Sequence, residues 1–93
     1  LIQQGEVIFA QLDCASCHSG VLGLDGQSHD VGSGISIQTP TLNWLWMSAP
    51  YFYDGRAQTL RDVFLLEGDH QIIGTVTLAE IDALVAYLQS LPR

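Results

Sequence analysis

Residues 14–18 read Cys-Ala-Ser-Cys-His, and no other string in the chain limits the fold so much. Two thiols three residues apart come to one side of a single turn, with an imidazole directly after them. That arrangement attaches haem covalently. Cys14 and Cys17 each add to one vinyl group, and His18 lies under the iron as its proximal ligand. Other uses of the pair fit less well. A redox CxxC belongs in a βαβ pattern, which this sequence lacks. A structural zinc needs two more ligands, and there is no second CxxC or HxxxH pair to supply them. A disulfide closing so short a loop would stabilise little.

A haem also explains how a short chain finds a core. Ninety-three residues make one domain, 1–93, and 47% of them are hydrophobic. The apolar excess is accounted for if side chains wrap a macrocycle. Gly, Asp and Gln interrupt every apolar patch before it reaches membrane-spanning length. The sequence starts at Leu1 without a methionine or a basic leader. It is therefore expected to be a processed mature protein or a module excised from a longer secreted chain. Haem c is attached outside the cytoplasm, so a periplasmic or extracellular location is expected.

The net charge is −7, and the only cations besides histidine are Arg56, Arg61 and Arg93. Nucleic acid and anionic membrane are poor partners on that balance. The acids are scattered and form no block, which reads first as solubility and second as steering toward a positively charged partner.

In chain order, residues 2–12 read as a helix with Ile2, Val7, Ile8, Phe9 and Leu12 on a rough apolar face. Gly5 and Phe9 are four apart and share a face, where glycine admits a second helix closely and the ring fills the space beside it. From Val21 to Gln38 the chain is rich in Gly, Ser and Asp and reads as loop. His29, within that loop, reads as a solvated side chain. Leu42, Trp44, Leu45, Trp46 and Met47 are too dense for an exposed face, so some of them must cover haem or core. Pro50 and Asp54-Gly55 mark a stop and a turn. Thr59 caps a helix carrying Leu60, Val63 and Phe64, with Asp62 as the reciprocal acid and Glu67-Gly68-Asp69 as its end. Thr77 and Glu80 form a capping box for a last helix, where Leu78, Ile81, Leu84, Val85, Leu88 and Leu91 recur at helical spacing. Tyr87 is the aromatic expected to face Gly5 and Phe9. The fold class is all-α: about three main helices and long loops around one covalently bound haem.

Gly5 and Phe9 shortly before Cys14–His18 resemble the first helix of class I c-type cytochromes. Thr39-Pro40-Thr41-Leu42, Ala49-Pro50-Tyr51-Phe52, Asp54-Gly55, Thr59-Leu60 and Leu84-Val85-Ala86-Tyr87-Leu88 resemble the cytochrome domains related to bacterial di-haem peroxidases. This chain departs from the second group in three ways. Tyr53 stands where those domains usually have histidine, Asn43 stands where they have arginine, and there is one attachment site where the peroxidases have two.

The resemblance places the distal ligand in the loop before the last helix, where His70 lies. Met47, the one methionine, is the alternative. A thioether sets a higher reduction potential than an imidazole, so the choice affects function. Arg56 is the candidate to neutralise a propionate. Trp44, Trp46, Tyr51 and Tyr53 are candidates to pack on the ring while donating an N–H or O–H bond. With both axial positions filled, the expected activity is one-electron transfer to or from an extracytoplasmic redox partner protein. A secreted oxidase or a fused enzyme domain would serve as that partner. The alternative is a peroxidase-like haem enzyme with an open or displaceable distal site.

Overall fold

The computed structural model describes residues 1–18, 41–52, 55–66 and 70–92, and the backbone of 28–29 and 37–38. Thr39, Pro40, Tyr53, Asp54, the expected helix end at 67–69 and most of the 21–38 loop lie outside these residues. Among the described residues there are three α-helices, α1 (Ile2–Gln11), α2 (Leu60–Val63) and α3 (Leu78–Gln89). A two-residue antiparallel ladder joins β1 (Ser28–His29) to β2 (Ile37–Gln38), within the stretch expected to be loop. The expected all-α architecture is borne out. Among the described residues no helix is long and apolar enough to cross a membrane.

The crossing of α1 and α3 organises the core. A Cβ built on Gly5 would collide with the Ala83 carbonyl oxygen and lie 2.7 Å from both the Ala83 carbonyl carbon and Tyr87 Cβ. Only a residue without a side chain lets the two backbones come so close. One turn on, Phe9 meets Tyr87 edge to face, with ring centroids 5.5 Å apart. The expected contact of Tyr87 with Gly5 and Phe9 is therefore present. The buried residues Ile8, Ile81, Ala83, Leu84 and Leu88 continue the interface, and Leu42, Ala57, Leu60, Val63 and Phe64 close it from the other side.

The apolar face of α1 is narrower than expected. Gly5 and Ile8 are buried, Phe9 and Leu12 are partly buried, and Ile2 and Val7 point to solvent, Val7 at 54% exposure. At 100° per residue, positions 5, 8, 9 and 12 share an arc that position 7 cannot join.

Helix α3 begins as expected. Glu80 N donates to Thr77 Oγ1 at 3.1 Å, and Thr77 N donates to Glu80 Oε1 at 2.9 Å. Leu78 just inside the cap is exposed, which narrows the buried stripe. Helix α2 has the expected Thr59 cap, with Asp62 N donating to its hydroxyl at 3.1 Å. It is shorter than expected, however, giving way to turns after Val63. The Phe64 carbonyl accepts from Ile72 N at 3.1 Å, a partner outside any helical ladder.

Candidate functional site

Helix α1 delivers the attachment string. Its last bonds run from Leu12 N to the Ile8 carbonyl and from Asp13 N to the Ala10 carbonyl, and Asp13 takes a left-handed φ of 60° that redirects the chain. Cys14–Ser16 then form one 3-10 turn, in which Cys17 N and His18 N both donate to the Cys14 carbonyl, at 3.3 and 3.0 Å. The two thiols and the imidazole thus leave one compact turn, as their spacing implied. Cys14 and Cys17 are free thiols and half-buried. Burial pushes the Cys14 thiol above its ordinary pKa, its backbone hydrogen bond pulls it back somewhat, and Asp13 adds to the rise. Among the described residues no three His, Cys, Asp or Glu side chains cluster as a metal site.

His70 stands across from this turn. Its ring centroid is 6.4 Å from that of His18, with the two planes inclined at 51°. Two hydrogen bonds tie down the residues that follow it: the Gln71 side chain donates its Nε2–H to the Leu65 carbonyl at 3.1 Å, and Ile72 N donates to the Phe64 carbonyl. His70 Nδ1 is shielded from solvent.

These two side chains fit a haem iron. An imidazole nitrogen sits about 2 Å from a metal, and its ring centre lies about 1 Å further out, so two rings on opposite sides stand about 6 Å apart. The observed separation matches that span. The third histidine, His29, lies in β1.

The remaining candidates occupy one connected segment. Trp44 has a left-handed φ of 61° and donates its backbone N–H to the Leu91 carbonyl at 3.2 Å, fastening the segment to the end of α3. Leu42 joins the core and Leu45 packs against it, whereas Trp44, Trp46 and Met47 are exposed on the polypeptide, Met47 at 61%. The expectation that some of these five must be covered holds for the two leucines. Tyr51 is half-buried and donates its hydroxyl to the Leu45 carbonyl at 2.6 Å, so that hydrogen is engaged within the chain. Desolvation raises its pKa. Asn43 is buried, with its N–H donating to Thr41 Oγ1 at 3.2 Å.

Phe52 was not anticipated as a site residue. Its ring centroid lies 5.8 Å from His70, and the Arg56 guanidinium carbon sits 4.5 Å from the same ring centre. The Pro50 to Gly55 spacing announces a turn. The pairing of Tyr51 with Ala57 across it, which brings Phe52 and Arg56 together, is a tertiary fact with no local signal.

A family model described as Cytochrome c matches residues 2–92. No curated protein and no solved structure matches the chain.

Proposed function

The chain belongs to the cytochrome c family, whose members bind haem c covalently and transfer electrons through it. From that premise we propose that residues 1–93 form a mono-haem electron carrier whose iron is ligated by His18 and His70. The haem, when bound, supplies one-electron redox chemistry. Cys14 and Cys17 would tether it and His18 would hold its iron. His70 takes the distal position, in preference to Met47. The observation that supports this most directly is the 6.4 Å between the two imidazole rings. Two imidazole ligands, His18 and His70, would give a lower potential than a thioether and would leave the haem to electron transfer in place of peroxide chemistry. Trp44, Tyr51 and Arg56 lie on the segment proposed to border the haem, with Arg56 compensating propionate charge.

The partner we propose is an extracytoplasmic redox protein, either a secreted oxidase or an enzyme domain fused to this one. The −7 charge favours a partner presenting a positive patch. The strings around Pro50 and Leu84 support kinship with the di-haem peroxidase cytochrome domains, while Tyr53 and the single attachment string argue against peroxidase activity.

The test is an absorption spectrum of the haem-loaded protein in both oxidation states, for wild type, His70→Ala and Met47→Ala. His70→Ala is expected to turn the ferric iron high-spin, and Met47→Ala to leave it low-spin. A far-red sulfur-to-iron band in the oxidised wild type, lost in Met47→Ala, would reverse the assignment. A high-spin wild type would favour the peroxidase-like alternative.

A further inference from the structure

The rotation of a metal-bound imidazole about its metal bond is set by the hydrogen bond of its other ring nitrogen together with what packs on its flank. Phe52 is placed to supply that packing for His70. The Tyr51–Ala57 bridge is antiparallel, with Tyr51 N donating to the Ala57 carbonyl at 2.6 Å and Ala57 N returning a bond at 3.4 Å. Phe52 and Arg56, one step further along each arm, are therefore cross-strand neighbours. Gly55 N donates to the Phe52 carbonyl at 3.1 Å, and Gly55 itself has a φ of 71°. Phe52 has a φ of 65°, a left-handed backbone that bulky residues rarely adopt. In that conformation its ring lies 5.8 Å from His70, inclined at 53°, while Arg56 covers it at 4.5 Å.

We propose that Phe52 is a positioning residue for the distal ligand: it sets the rotation of the His70 imidazole, and Arg56 holds Phe52 in place through the ring face. The inference rests on the assignment of His70 as the distal ligand. The angle between the two imidazole planes, 51° here, sets how the ligand field divides the iron orbitals. That division is read in the ferric electron paramagnetic resonance spectrum and contributes to the potential. A merely structural role for Phe52 would move neither in a protein that stays folded and low-spin.

The experiment takes haem-loaded wild type, Phe52→Leu, Phe52→Tyr, Arg56→Gln and His70→Ala through ferric electron paramagnetic resonance and redox titration. Phe52→Leu is expected to stay low-spin with shifted and broadened g values and a shifted potential. Phe52→Tyr keeps the ring and should restore the wild-type spectrum. Arg56→Gln should broaden the g values in the same sense but less. Its potential is set aside, because losing a cation shifts that directly. Wild-type g values and potential in Phe52→Leu would overturn the proposal. If Phe52→Leu does not fold, wild-type g values and linewidths in Arg56→Gln overturn it instead. The two failures are distinguishable: a low-spin His70→Ala removes the ligand assignment itself, whereas a high-spin His70→Ala beside an unaltered Phe52→Leu removes only the role of Phe52.

Discussion

Replacing Gly5 by alanine puts a methyl group into the tightest part of the fold. The new carbon would overlap the Ala83 carbonyl and approach Tyr87 Cβ to 2.7 Å. Carbon atoms settle about 3.5–4 Å apart, so α1 and α3 must separate by about 1 Å, and the Phe9–Tyr87 contact must open with them. Overpacking of this kind costs about 1–3 kcal/mol, and the upper end applies because the obstacle is main chain that no rotamer change can move. Alanine recovers about 1 kcal/mol of helix propensity over glycine. The net loss is about 2 kcal/mol, which for a domain near 100 residues lowers Tm by about 8–16 °C. Circular dichroism at the helix band, recorded on heating the haem-loaded protein, measures it. Val7→Ala, on the exposed side of the same helix, is the control and should stay within about 0.5 kcal/mol of wild type. A Gly5→Ala protein that melts at or above wild type would refute the claim that backbone contact sets this crossing.

Two smaller effects follow from single hydrogen bonds. Thr77→Ala removes one half of the α3 capping box and should cost about 1 kcal/mol by urea denaturation. Tyr51→Phe loses the bond to Leu45 and should cost about 0.5–1.5 kcal/mol by the same assay. The Tyr51 phenol keeps its proton more tightly folded than unfolded, so wild-type stability should fall as pH rises past the ordinary tyrosine range. Tyr51→Phe should lessen that fall.

What could be read from the sequence was what depends on neighbours along the chain. The Cys14–His18 turn is closed by bonds spanning three and four residues, so its spacing carries its geometry. The capping box at Thr77 is equally local, and the Gly5, Phe9 and Tyr87 pattern survives because a close helix crossing needs both a gap and a filler. Val7 was misplaced because counting apolar residues does not fix which arc of a helix faces inward. The length of α2 was misjudged because its end depends on Ile72 arriving at the Phe64 carbonyl, a contact eight residues away. Phe52 was missed for the same reason. It reaches His70 only after the Tyr51–Ala57 pairing forms and the backbone takes a left-handed turn. Resemblance points to the loop of His70, whereas the 6.4 Å between its ring and that of His18 is a tertiary fact with no local signal.

The most direct test of the account is the intact mass of the denatured protein, purified from cells able to mature c-type cytochromes. Covalent attachment through Cys14 and Cys17 predicts the 10.1 kDa polypeptide plus one haem, and Cys14→Ala with Cys17→Ala should return the bare chain. A wild-type mass equal to the polypeptide alone, in a colourless preparation, would contradict it.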